Sequence, residues 1–495
     1  MDKFIHEAIL YYEMSGSYIT GMNRTQTVLM PEAVDDYISN DNPARLFDSF
    51  VDSIDLVKLG FQHSCIEKGP GRPAYDPADM LKLYLWGYFN GIRSSRKLEN
   101  ECHRNLEVMW LIKGVTPDFK TIADFRKDNV DLVKSVFNEF NSFLNRLGMF
   151  TSHEVAIDGT KVKAVNSMDR SYTAEFLKNT IEKVGQRIEK YLKEMDENDA
   201  SEEWEIDRSK VPEIVKKLKE KKAKLEGIKG KIDKSGMSEM SLTDPEARQM
   251  KTRHGIDVCY NGHISVETGN HLIVDYSVDN STNDYWSVVP LARGSKGLLG
   301  YVDVSADKGH FSLQNLEDLA SLGIPAYIPS AMRGNPDKKT GVPEREYRKD
   351  KFIYNPDSDT YTCPQGSEMH YRFIWPDVKS GLKYKVYSTD DCMKCPVKAK
   401  CTNSVRGRWI TRWVKEEVEE EHWKRMKLNG NEKMILRKRT VEHPFGTIKR
   451  AMNQGYLLMK GLRKVSGEFG FSALTYNIKR AITIKGVEAL TSAFA

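Results

Sequence analysis

Three acids in this chain of 495 residues sit where side chains can do chemistry. Asp158 lies in "VAIDGTKVKA", Asp307 in "VSADKGHF", and Glu442 in "RKRTVEHPFGTIKR". The last stretch holds five Lys or Arg and a single carboxylate. Each Asp leads out of a β-patterned run and is followed by Gly or Lys-Gly. An acid at the end of a buried strand is held rigidly and stays accessible. Taken singly, Asp before Gly is most simply a turn former; the joint placement of two such acids carries more information. Three carboxylates brought together raise one another's pKa unless positive charge compensates. Hard divalent cations, Mg²⁺ or Mn²⁺, prefer such oxygens. Two of them about 3.5–4 Å apart stabilise the attacking and leaving oxygens of an in-line phosphoryl displacement.

Positioning those acids requires a sheet. Val155 and Ile157 give a strand that Gly159 is expected to end. "GIDVCYNGHISVETG" and "HLIVDYSVDN" read as a hairpin across a Gly-Asn turn. "DYWSVVPLARGSKG" and "SLQNLEDLASLG" read as helices, the second opened by Ser312, with strands at Asp307 and at "IPAYIPSA". The order β-β-β-α-β-α-β gives an α/β (α+β) core with a mixed sheet. The sequence divides into an N-terminal arm (1–42), an all-helical leader domain (43–150), and a core made of 151–334 with 431–495. A charged helical hairpin (172–240) interrupts the core, and a Cys-rich insertion fills 335–430. On composition the hairpin is a solvated arm with no chemistry. In the leader, Asp76 and Pro77 open a buried helix, and 129–149 forms another that stops at Gly148. Around Glu442, Pro444 and Gly446 are poor helix formers, so a helix either starts near Glu442 or kinks there.

Charged residues make up 29% and the net charge is only +5, so local basic runs matter more than the total. The N-terminal residues do not read as a signal peptide and no run approaches a membrane span, so a cytoplasmic protein is expected. Seven cysteines, an odd number, argue against a secreted disulfide framework. Cys363, Cys392, Cys395 and Cys401 have the spacing of a tetrahedral structural Zn²⁺ site, with His370 as a substitute ligand; reduced cysteines in a small core are the alternative. DNA contacts are expected from Lys161, Lys163, Lys308, Arg437, Lys438, Arg439 and Lys449, which flank the acids. Lys120, Arg126 and Lys127 in the leader add a helix for a groove. "KGPGRPAY" either reads an A·T minor groove or is a plain linker.

Together, "AIDGTKVKA", "ADKGHFS" and "RKRTVEHPFGTIK" resemble the DDE transposases of bacterial insertion sequences, in the IS4-like superfamily and its IS-eleven-eighty-two group. "GRPAYDPADMLKLYLWGYFNGIRSSRKLE", "PDFKTIADFRKDN" and "TDPEARQMKTRHGIDVCYN" extend the resemblance over nearly the whole chain. It implies an RNase H-like core with Asp158, Asp307 and Glu442 as a triad holding two Mg²⁺ or Mn²⁺ ions. It implies cleavage at terminal inverted repeats, attack of the freed 3′-OH on target DNA, and at least a homodimer in a synaptic complex. The superfamily's Tyr, Arg and Lys around the Glu fall here on Ile435, Lys438 and Lys449, with Arg439 able to take the Arg's role. His310 stands where the group more often has Tyr. A metal-dependent nuclease that only hydrolyses, and a DNA-binding protein without activity, are the alternatives.

Overall fold

The computed structural model describes residues 33–62, 73–165, 171–198, 211–236, 239–253, 255–330, 343–378 and 380–494. Most of the N-terminal arm, the Gly-Arg pair at 71–72 and most of the acidic loop after residue 198 lie outside the described residues.

The leader is helical: α1 (Pro43–Asp52), α2 (Pro77–Phe89), α3 (Ser95–Arg104), α4 (Phe119–Asp128) and α5 (Val133–Arg146). The Asp76 side chain caps α2, and Pro77 stands in its first turn. Asp118 caps α4 through the amides of Lys120 and Thr121. Gly148 closes the stretch after α5 at φ +65°.

The central sheet is built from β1 (Glu154–Lys163), β2 (Arg248–Thr252), β3 (Gly255–Glu267), β4 (Ile273–Asp279), β5 (Asp303–Ala306) and β6 (Ala326–Tyr327). Its order is β4-β3-β1-β5-β6, with β2 beside the first half of β3. β3 runs antiparallel to β1, whereas β5 and β6 run parallel to it. Three antiparallel strands followed by two parallel ones form an RNase H-like sheet. Between β4 and β6 come α8 (Val288–Leu299) and α9 (Leu313–Ser321), the latter capped by Ser312. Val155 and Ile157 of β1 bury against Val288, Leu291, Leu316 and Leu319 on this side. Each such aliphatic side chain contributes about 1.5–3 kcal/mol.

The sequence expectation that Gly159 ends β1 is corrected: the strand continues to Lys163. Glycine is needed there for another reason. A Cβ at 159 would stand 2.6 Å from His263 Nδ1 and 2.9 Å from Asp284 Oδ1. The two arm helices are α6 (Ala174–Asn198) and α7 (Val211–Ser235). A short antiparallel ribbon of Ser171–Thr173 and Glu239–Ser241, which the sequence did not disclose, ties their base.

The Cys-rich segment forms a separate antiparallel sheet of β7 (Ile353–Asn355), β8 (Thr360–Thr362), β9 (Glu368–Pro376), β10 (Lys383–Ser388) and β11 (Ile410–Trp413). α10 then runs unbroken from Glu416 to Gly446, across the position where the sequence suggested a boundary. Pro444 lies inside it, and a π turn (Thr447–Ala451) follows. α11 (Leu462–Lys485) is buried for most of its length and packs on α2, α5 and β4. One hydrophobic core therefore runs from Phe47 and Tyr84 of the leader through Phe471 and Leu474 of α11 to Ile264 of the sheet.

Candidate active site

The parallel ladder from Glu154↔Asp303 to Ile157↔Ala306 positions the first two acids. One step further brings Asp158 beside Asp307, where β5 has just ended. The two carboxylates feel each other electrostatically. Burial pushes the pKa of Asp158 up and Asp307 pushes it further, while Arg437 and the Gly159 amide oppose the rise. Asp307 has the reverse balance. It caps a short 3₁₀ turn, with Oδ1 accepting from the Gly309 amide at 3.0 Å and lying 2.7 Å from His310 Nδ1. The His310 hydrogen bond is the main reason its pKa is lowered. His310 is fully buried. It orients Asp307, a role that its departure from the group's usual Tyr did not reveal.

α10 lies along this face of β1. Lys433 pairs with Glu154, and Arg437 Nη1 reaches Asp158 Oδ2 at 3.3 Å. Within the π turn, Lys449 Nζ donates to Thr160 Oγ1 at 2.6 Å and to the Lys161 carbonyl at 2.9 Å. Arg437 and Lys449, read in the sequence as DNA contacts, thus face the sheet. Burial holds the Lys449 amine below the usual lysine range.

Glu442 is exposed, on the outer side of α10. The structure brings Asp158 and Asp307 together but does not bring Glu442 to them. Among the described residues, no three His, Cys, Asp or Glu side chains come together in a group fit to hold an ion. The Asp158–Asp307 pair, two adjacent carboxylates with one raised in pKa, has the hard oxygen chemistry that suits a divalent cation.

Behind the pair, on the other face of β1, lies a polar cluster that sequence reading missed. Asp284 accepts from Asn261 Nδ2 at 2.6 Å and Lys161 Nζ at 3.0 Å. His263 Nε2 lies 3.1 Å from Asp279 Oδ2. Lys161 is therefore engaged by an acid. The signal available in the sequence was the run of polar residues, Asn261 and His263, at strand positions that pair with Lys161 and Gly159.

Of the other expected DNA contacts, Lys308, Lys438, Arg439, Lys120, Lys127 and Lys163 are exposed, with Lys127 paired to Asp124 and Lys163 to Asp257. Arg126 is a correction: it is buried, 5.5 Å from the Tyr84 ring, and donates to the Arg93 carbonyl. Its spacing on α4 looked basic and exposed, but its stem completes the leader core. In the Cys-rich segment, on the turns and short helix beside the second sheet, Cys363, Cys392, Cys395 and Cys401 are half-buried. The other three thiols all raise the pKa of Cys401, after burial as the largest cause. The four are gathered in one neighbourhood without being drawn into a closed coordination shell.

Comparison with known proteins adds family to geometry. A family model described as "Transposase domain (DUF772)" matches residues 32–128, which hold most of the leader helices. A second, "Transposase DDE domain", matches residues 362–482, from β8 through most of α11. No curated protein matches the chain. Among solved structures, the cryo-EM structure of a piggyBac transposase synaptic complex with hairpin DNA is similar at 9% identity and a TM-score of 0.28, over 92% of this chain and 78% of that one. A TM-score that low carries no weight for the fold, which rests on the strand order alone. The two transposase models, on the leader helices and on the segment ending in α10 and α11, support a DDE transposase.

Proposed function

We propose that this transposase recognises the terminal inverted repeats of its own element, cuts there, and joins the freed 3′-OH to target DNA. The observation that carries the reading is the Asp158–Asp307 pair on adjacent parallel strands. Asp158, Asp307 and Glu442 form the catalytic triad in this reading and are the residues that would hold Mg²⁺ or Mn²⁺. Such ions supply an activated water and neutralise the charge of the phosphoryl transition state. His310 keeps Asp307 aimed into the site. Arg437 balances the acid charge, and the exposed Lys308, Lys438 and Arg439 offer positive charge to the phosphates of bound DNA. The finer placement is the IS4-like superfamily and its IS-eleven-eighty-two group, by the motifs quoted above. Cys363, Cys392, Cys395 and Cys401 hold a structural Zn²⁺ that stiffens the second sheet. The working form is a homodimer or larger on two DNA ends, in the bacterial cytoplasm at the nucleoid.

The test uses the purified protein, a labelled duplex of the element's own end, Mg²⁺ and a supercoiled plasmid. Cutting followed by joining to the plasmid is expected. Cutting without joining would leave a nuclease, and binding alone would leave a DNA-binding protein.

A further inference from the structure

Arg437 and Glu442 sit on opposite sides of α10. At about 100° per residue around the axis, Lys433, Thr440, Val441 and Pro444 all fall within roughly 60° of Arg437. Thr440, Val441 and Pro444 are buried, and Lys433 and Arg437 reach β1. Glu442 falls about 140° away. Immediately after it, two features weaken the helix. Pro444 has no N–H, so the Thr440 carbonyl loses its helical donor and meets the His271 ring instead. Three residues on, the π turn holds one residue more than an α turn, and the Met452 amide donates to the Thr447 carbonyl five residues back at 3.0 Å.

We propose that α10 has two registers, exchanged by moving this π turn toward the N-terminus past Glu442. Such a move leaves both ends of the helix in place. It rotates only the residues between by one position, about 100°. Glu442 then takes the direction Val441 has now, toward β1, and Pro444 takes that of His443, toward Tyr476 and His271. In the register seen, Arg437 neutralises the acid pair and Glu442 stays away, so the chain is guarded against cutting DNA at large. A third carboxylate at Asp158 and Asp307 is tolerated only with cations present. End DNA and cation together therefore favour the second register. Arg437 is the guard residue, and Pro444 with the π turn is the device that lets Glu442 in. This rests on the triad reading of Asp158, Asp307 and Glu442.

The test is the alkylation rate of the new thiol in full-length E442C, resolved from the native cysteines by peptide mass spectrometry. Cadmium serves as a cation that accepts a thiolate with carboxylates. Free protein is expected to react quickly at this position. With the end duplex and Cd²⁺ the rate is expected to fall at least about tenfold, and the protection to vanish in the double variant D158N E442C. A thiol that keeps its free rate with the duplex bound overturns the proposal. So does protection that survives D158N, since it would come from DNA lying over the outer face. Pro444→Ala restores the missing donor and should block protection and cutting while circular dichroism stays unchanged; full protection in P444A overturns the part given to Pro444. The triad reading has its own readout: E442Q that cuts normally would sink it. An inactive E442Q together with an unprotected E442C sinks the two-register proposal alone.

Discussion

At Asp158, activity and stability pull in opposite directions. Its carboxyl is raised above the ordinary 3.8 by burial first and by Asp307 as well, with Arg437 only partly offsetting them. A carboxyl raised on folding binds its proton more tightly in the native state. Stability therefore falls as pH rises from 3.8 to the raised value, and the cost stays constant above it. Asp158→Asn removes the charge, so the variant should melt about 1–2 °C above wild type at pH 8, with the gap closing below pH 4. The same variant and Asp307→Asn should lose on the order of 10³-fold or more in end cutting, because several kcal/mol of transition-state stabilisation go with the carboxylate. His310→Ala should cut more slowly, by about tenfold to a hundredfold, through a misaimed Asp307. Calorimetric scans and a gel cleavage assay on the three variants check these outcomes. The Asp positions were legible in the sequence because a strand pattern and a following glycine mark them. The neighbours were not. His263, Asp284 and His310 come together only through strand pairing and the loop after β4, and Gly159 looked like a terminator because close approach from β3 leaves no local trace.

At the scale of elements, the order of strands and helices in the core was readable, since alternation and cap residues such as Ser312 are local. What failed was phase and extent on α10. A helix of 31 residues with an internal Pro444 defies the rule that proline stops a helix, and tertiary contacts through Lys433, Arg437 and Val441 hold it together. Grouping Arg437 with the exposed bases followed from its company in sequence. One helical turn separates inward from outward there, and only packing decides. The second sheet was also hidden, because its strands are short and its core is little more than Phe352, Tyr361, Met369, Tyr387 and Ile410. A segment so lightly packed needs a staple. Purified protein should contain one zinc per chain by elemental analysis. Cys395→Ser should lose it and expose the segment around 363–401 to limited proteolysis, with the rest of the chain intact.

Across the whole molecule, the leader and the central sheet share one core, and a buried ion pair pins them. Arg93 on the leader lies 3.3 Å from Glu468 of α11 and donates to the carbonyls of Asn453 and Tyr456. The Glu468 carboxylate also accepts from the Leu458 and Met459 amides. Breaking such a pair leaves an uncompensated buried charge. Glu468→Gln should cost about 3–5 kcal/mol in urea unfolding, and the loop after the π turn should loosen with it. Among the described residues no helix is long and apolar enough to cross a membrane. The partition between leader and core was visible in the sequence as a change of period, yet their union through Phe471, Tyr84 and Tyr88 was not, since residues so distant in the chain meet only on folding.

The central claim is that Asp158 and Asp307 hold a divalent cation on adjacent strands. Replacing Mg²⁺ with Fe²⁺ and adding ascorbate and peroxide generates radicals that cut the backbone next to the bound ion. Cuts are predicted in β1 around residue 158 and at the end of β5 around residue 307, suppressed by excess Mg²⁺ and absent from D158N and D307N. A chain that is cut at neither place, or that is cut equally in the two asparagine variants, would contradict the assignment.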